Sequence, residues 1–256
     1  MHPRDDPHES PAPVILIQGF IGSLDAIASG HPDLLRAAPD LLGYGAYRHV
    51  PFEAISLPEQ VEHIRAFIAA RTDAPTVDLV GHSTGGAIAM LFAHAYPDRV
   101  RRIVNVEGNF TLDDAFWSAP MAHLTPAEAD ARLASLRAQP AAWLRCVVRD
   151  VTPAMADTAA RWLDRQPAST LRAMGQSVIA VTGNAGYAGK LRQVFQRHPV
   201  YLLSGERSHD NWHLPGWAVE LCAGREVLAD CGHLMMLEAP AAFSAAIEGF
   251  LSRPEA

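Results

Sequence analysis

The sequence predicts an α/β fold: a mainly parallel sheet of about six strands, flanked by helices and carrying a helical insertion. Three observations lead there. Short apolar runs alternate with helical patterns through the first 110 residues, and such alternation implies a parallel sheet with right-handed crossovers. A series of helix starts with few β-branched runs then fills residues 111–195, and alternation resumes after it. Hydrophobic residues make up 49% of the 256, enough for a sheet buried on both faces.

Taken in order, Pro13 to Ile17 is a continuous apolar run, the mark of a strand buried on both faces. It ends in a turn-rich loop, Gln18 to Ser23. Residues from Pro32 to Leu42 are expected to be helical and Tyr47 to Phe52 a short strand. Val61, Ile64, Phe67 and Ile68 give one apolar helix face within Leu57 to Ala70. Thr76 to Val80 is a strand, Thr84 to Tyr96 an apolar helix stopped at Pro97, and Val100 to Val106 a strand. In the insertion, Thr125 and Glu128 have capping-box spacing with Pro126 at the first helical position. Thr152-Pro153 and the region from Gly189 mark further helix starts. Val200 to Ser204 and Glu226 to Ala229 are strands, and Pro240 to Leu251 is a last helix. The expected organisation is a flexible tail over 1–12, a core over 13–110, a helical cap over 111–195 and the remaining core over 196–256.

Formal net charge is −7, and the one local group of basic residues is Arg99, Arg101 and Arg102, expected to solvate a helix end. Nucleic acid is therefore not an expected partner. The longest apolar runs are too short to span a bilayer. The first residues lack a basic segment followed by an apolar one, so no export signal is read and a cytoplasmic location is the expectation. The three cysteines, Cys146, Cys222 and Cys231, lack CxxC spacing, which argues against a disulfide framework or a zinc site. No motif for phosphate, nicotinamide or flavin is present, and no HExxH-like spacing points to a metal, so no cofactor is expected.

The chemistry concentrates in Gly81-His82-Ser83-Thr84-Gly85-Gly86. The G-x-S-x-G pattern recurs by chance, but here an apolar strand enters it and an apolar helix leaves it. A serine on a tight strand-to-helix turn stands clear of the sheet, and glycines are needed where a side chain would meet neighbouring backbone. The helix starting at the serine aims its unpaired N–H groups at the reacting centre. Ser83 is the candidate nucleophile.

This order of elements around GHSTGG resembles the α/β-hydrolase superfamily, from about Pro13 to Leu251. The resemblance implies the α/β-hydrolase fold, entered at what is usually its third strand, with a helical cap. It also implies an oxyanion hole from the backbone N–H groups of Thr84 and Phe20. The family's usual His-Gly-x after the first strand is Gln18-Gly19-Phe20 here, and the Gln amide is expected to order that loop in place of the His. Among 12 histidines, His233 resembles the family's base, because Cys231-Gly232-His233 follows a strand and precedes the last helix.

The acid departs from the common pattern. The family's usual Asp position after the fifth strand holds Ser208, which has no carboxylate. Glu107, ending the strand 100–106, instead resembles the acid of haloalkane dehalogenases and zearalenone-type lactone hydrolases, although the former use an Asp nucleophile where this chain has Ser83. Asp210, Asp113 and Asp114 are the alternative acids.

Trp117, Trp143 and Trp162, with neighbouring Phe and Met residues, either wall an apolar substrate pocket or form the cap's own small core. The implied activity is hydrolysis of an ester, thioester or lactone of a small apolar acyl substrate through an acyl-serine. The alternatives are an acyltransferase or C–C bond hydrolase with the same residues, or a non-catalytic ligand-binding protein of the same fold.

Overall fold

In the computed structural model, residues 12–25 and 36–254 are described. The tail expected over 1–12 lies outside them save for its last residue. So does the first part, 32–35, of the helix expected over 32–42.

Six strands form one sheet: β1 (Val14–Ile17), β2 (Arg36–Ala37), β3 (Val77–His82), β4 (Val100–Val106), β5 (Val200–Gly205) and β6 (Gly224–Leu228). Their spatial order is β2-β1-β3-β4-β5-β6, and every pairing is parallel. All residues of β1, β3 and β5 are buried, as expected of central strands covered by helices on both faces, and in β3 this includes the polar Asp78 and His82. Strand parity separates the faces. Asn105 of β4 faces the helix that follows Ser83, its amide lying 3.1 to 3.2 Å from where a Cβ on Gly86 would sit. Arg102, of opposite parity, is buried and donates to the carbonyls of Phe250 and Leu251 at the end of the last helix, at 3.3 and 3.0 Å.

Eleven α-helices occur among the described residues. α1 (Leu57–Arg71) starts at Ser56, whose hydroxyl accepts from the Glu59 N–H at 3.2 Å. α2 (Thr84–Ala95) is buried nearly all round, between the sheet, α1 and α8. The insertion contains α3 (Ser118–Ala122), α4 (Pro126–Ala138), α5 (Pro140–Leu144), α6 (Pro153–Asp164), α7 (Ala168–Thr182) and α8 (Tyr187–Arg197). The Thr125–Glu128 capping box forms in full, and Thr152 caps α6. α8 packs against α2 of the core rather than over the sheet edge. α9 (Gly216–Leu221), α10 (Met235–Glu238) and α11 (Pro240–Leu251) complete the chain. No described helix is long and apolar enough to cross a membrane.

Three local expectations are corrected. Residues 38–42 are not helical, and Arg36–Ala37 instead forms the edge strand β2. Residues 47–52 form no strand: two 3₁₀ turns, Gly45–Tyr47 and Phe52–Ala54, occupy this stretch, and Gly43 and Gly45 hold positive φ of 87° and 50°. Of the three arginines, Arg102 reaches the end of an α-helix, and it does so from a buried position. Arg101 pairs with the buried carboxylate of Asp78, Arg102 ties β4 to α11, and Arg99 bonds the Ala74 carbonyl at 3.2 Å. All three cysteines are free thiols.

Candidate active site

The candidate nucleophile, base, acid and oxyanion-loop residues each sit just beyond the carboxyl end of a strand. Gln18 to Phe20 follow β1, Ser83 follows β3, Glu107 follows β4, Ser208 lies past β5 and His233 past β6. Open α/β sheets bind ligands at this edge, where strand order reverses. Here the reversal falls between β1 and β3, where the chain steps out to β2 and back. Gly19 and Ser83 meet at that point: a Cβ on Gly19 would lie 3.0 Å from the Ser83 Cβ.

Three non-glycine residues among those described have positive φ: Ser83 (53°), Glu107 (42°) and Asp230 (57°). Two are candidate site residues, and the third opens the loop to His233. Such backbone costs about 1–3 kcal/mol per residue and persists only where surrounding contacts enforce it. At Ser83 the contacts are steric. A Cβ on Gly81 would come 2.4 Å from the Gly85 carbonyl oxygen, and one on Gly85 would come 2.2 Å from that of Ile17. Gly85→Ala is therefore expected to lower stability by at least ~2 kcal/mol, roughly 4–8 °C in Tm for a chain of this size. A thermal melt checks this, and an unchanged Tm would show that α2 can move off β1 freely.

The Thr84 N–H lies in the first turn of α2 and has no intrahelical acceptor. Phe20 is buried, and its carbonyl accepts from the Tyr44 hydroxyl at 2.9 Å. Gln18 is buried too, but its amide nitrogen has no hydrogen-bond partner among the described residues. The expected ordering of this loop through that nitrogen is not observed. The Tyr44 bond and the glycine contacts hold the loop instead.

His233 is buried, and its Nδ1 lies 2.6 Å from Glu107 Oε2, with side-chain exposures of 7% and 3%. The other oxygen, Oε1, accepts from the Gly205 N–H at 2.8 Å and the Ser208 hydroxyl at 2.5 Å. The alternative acids are placed elsewhere. Asp114 is buried but accepts from the N–H groups of Phe110, Thr111 and His213 at 2.8 to 2.9 Å, capping a 3₁₀ turn. Asp113 and Asp210 are exposed.

His82 also supports the His233 loop, with Nε2 3.0 Å from the His233 carbonyl oxygen. Burial, then the neighbouring His233, pushes its pKa well below 6.5. Below that pH the unfolded chain binds a proton the folded chain refuses. The contribution is present above about pH 6.5 and is lost as pH falls, by up to ~1.4 kcal/mol per unit. His198, shifted in the same direction by burial, adds to the effect. His82→Asn should flatten the fall of Tm between about pH 7 and 5, and an unchanged slope would contradict a neutral buried His82.

The tryptophans divide. The Trp117 ring meets His233 edge-on at 5.8 Å between centroids, Trp143 packs on Trp117 at 5.4 Å, and Phe116 meets His233 from 5.5 Å. Trp162 lies apart, in a narrow cleft with Gln18, Gly19 and His82. A cavity of about 510 Å³ opens beside the His233–Glu107 pair, lined also by Phe116, Arg145, Ser208 and Trp212. Neither Ser83 nor any of the three expected tryptophans is on its wall; Phe116 is, and both Phe116 and Trp117 pack on His233. Sequence reasoning missed Trp212, whose indole N–H donates to the Gly108 carbonyl at 2.8 Å, and Asn105, whose Oδ1 accepts from the Gly108 N–H at 2.8 Å. Both fix the turn that carries Glu107.

A six-stranded parallel sheet with a serine turn, a buried His–Glu pair and a run of helices between β4 and β5 defines a hydrolase-type α/β protein. The family model described as "Alpha/beta hydrolase family" matches residues 14–246, and the chain belongs to that family. Among curated proteins, it is similar to Lipase LipV of Mycobacterium tuberculosis, 36% identical over 49% of this chain and 51% of that protein. It is also similar to 2-hydroxy-6-oxo-2,4-heptadienoate hydrolase of Pseudomonas putida, 34% identical over 36% of each. The matches thus span about half the length of the first relative and about a third of the second. Among solved structures, a thermophilic esterase from Thermogutta terrifontis superposes with a TM-score of 0.71 at 18% identity, covering 94% of this chain and 89% of that one. Proline iminopeptidase of Mycobacterium smegmatis gives 0.67 at 19% identity, covering 96% and 91%. At these identities the structural likeness speaks for the fold.

Proposed function

We propose that this chain is a serine hydrolase cleaving an ester, thioester or lactone through an acyl intermediate on Ser83. The observation that carries the reading is the buried 2.6 Å contact between His233 Nδ1 and Glu107 Oε2. A carboxylate and an imidazole taken out of water together need a compensating role, and orienting a base is the role that fits at the sheet edge that also carries a strained serine. The similarity to a lipase supports it.

In this reading His233 Nε2 takes the Ser83 Oγ proton as Oγ attacks the carbonyl carbon. The developing oxyanion is held by the N–H groups of Phe20 and Thr84. Glu107 accepts from Nδ1–H, keeping the ring in the tautomer whose Nε2 is free and stabilising the imidazolium. Collapse of the intermediate breaks the bond to the leaving group, which takes the proton from His233. Water, deprotonated by His233, then attacks the acyl carbon, and the C–Oγ bond breaks as His233 returns that proton to Ser83 Oγ and the acid leaves. No step draws on a cofactor. Trp117 beside His233, with Trp143 packed behind it, favours an apolar acyl or ring group. A hydrolase like the heptadienoate relative, or an acyltransferase, would use the same three residues. Product analysis with the dienoate, and with water against alcohol acceptors, separates these chemistries.

A fluorophosphonate tests the core claim without choosing a substrate, since it reports an activated serine. Stoichiometric modification at Ser83, found by peptide mass spectrometry, is the expected result. An unmodified folded protein would favour the ligand-binding alternative.

A further inference from the structure

Ser208 lies three residues beyond β5 with its hydroxyl turned to Glu107. Oε1 of Glu107 receives two donors from the β5 loop, the Gly205 N–H at 2.8 Å and Ser208 Oγ at 2.5 Å. That leaves Oε2 to face His233 alone. The Ser208 hydroxyl has one proton and two acceptors in reach, Glu107 Oε1 and the Gly205 carbonyl at 3.3 Å. The shorter bond to the charged group is the stronger.

The loop bearing Ser208 is itself fixed. The Ser208 N–H donates to the Gly205 carbonyl at 3.2 Å, the Asn211 N–H to the Ser208 carbonyl at 3.0 Å, and the Arg207 N–H to the Cys231 carbonyl at 2.8 Å. The last bond joins this loop to the one carrying His233. Arg207 also reaches Glu238, whose other oxygen accepts from the Gly232 N–H at 2.7 Å. Glu107 needs such support, because its φ of 42° is unfavourable for a residue with a side chain, and the carboxylate could otherwise rotate away from the imidazole.

We propose that Ser208 is a positioning residue for the site: by donating to Glu107 Oε1 it holds the carboxylate so that Oε2 keeps His233 in the reactive orientation. The inference rests on the serine-hydrolase reading given above. It assigns the Ser208 position a donor's part, with the carboxylate supplied from β4 and the hydroxyl from the β5 loop. Each half of the pair needs the other. Without Ser208, Oε1 keeps only the Gly205 N–H.

The test is the rate of Ser83 modification by a fluorophosphonate in the full chain, with Ser208→Thr and Ser208→Val as the decisive pair. Thr keeps the hydroxyl and Val has the same shape without it, so any packing penalty from the added methyl groups is shared. Ser208 is only part-buried and borders the 510 Å³ cavity, which leaves room for the methyl. Loss of a hydrogen bond to a charged group predicts Ser208→Val to be modified about 10- to 100-fold more slowly than Ser208→Thr. Ser208→Thr should stay within about threefold of the parent. With an ester substrate the loss should appear in kcat, with KM within about twofold, because Ser208 acts on the acid and not on bound substrate. Equal rates for the Thr and Val variants, in a parent that is modified at Ser83, would overturn the Ser208 assignment and leave the hydrolase reading standing. A parent that is not modified at all would overturn both.

Discussion

Replacing His233 with alanine is expected to lower turnover of a test ester on the order of 10⁵-fold while the protein stays folded. The size follows from what the ring does in the proposed cycle. It takes the serine proton, delivers a proton to the leaving group and activates water in deacylation, so both half-reactions lose their proton carrier. The fold should tolerate the change, because the loop is held through backbone: His82 bonds the residue 233 carbonyl, and the Gly232 N–H is held by Glu238. Loss of the ring also leaves Glu107 with two donors on Oε1, so the buried carboxylate is not stranded. The check is kcat for the variant beside its thermal melt. The double variant Ser83→Ala/His233→Ala should fall no further than either single one, since the two act as a unit. Near-parent turnover in folded His233→Ala, or additive losses in the double variant, would reject the assignment.

The second large effect is expected at Glu107. Glu107→Gln keeps the shape and the Gly205 and Ser208 contacts, but can place an N–H against the Nδ1–H of His233. Two opposed donors favour the other tautomer, with the proton on Nε2, where it cannot accept from serine. A fall in kcat on the order of 10³- to 10⁴-fold is expected, smaller than for His233 because the base is still present. Asp210→Asn and Asp113→Asn should stay within about twofold, being exposed side chains with no hydrogen bond to the imidazole among the described residues. Asp114→Asn should cost stability, since this buried carboxylate accepts three backbone N–H bonds, with little loss of kcat in the folded fraction. A kinetic loss at Asp210 as large as that at Glu107 would move the acid to the other strand end.

The parts legible in the sequence share a cause. The GHSTGG turn is read from six consecutive residues because its requirement is local: the backbone atoms that a Cβ on Gly81 would meet belong to Gly85 and Gly86 themselves. A continuous apolar run identified β1, and short runs rich in Val, Leu and Ile marked β3, β4 and β5, because a strand covered on both faces has little solvent side to mark with alternating polar residues. Capping residues marked α4 and α6 for the same local reason. The misread stretches lacked that kind of signal. Tyr47, Val50 and Phe52 were apolar enough to suggest a strand, but Gly43 and Gly45 take left-handed backbone and turn the chain. β2 is two half-buried residues whose strand character comes only from pairing with Val14 and Ile15.

The amino-acid sequence by itself determined the α/β sheet, the serine turn and the order in which candidate residues reach the sheet edge, because periodicity and glycine sterics act over a few neighbouring residues. It also named Glu107, through a charged residue ending an apolar strand. Only the tertiary structure decided which groups meet there. Glu107 and His233 are 126 residues apart, and Ser208 and Glu107 are 101 apart. The absence of a carboxylate at 208 becomes meaningful only once β4 and β5 lie side by side and its hydroxyl finds Oε1. The tryptophans were separated in the same way, Trp117 against His233 with Trp143 behind it and Trp162 toward Gln18, because packing of the helices between β4 and β5 sets their directions and composition does not.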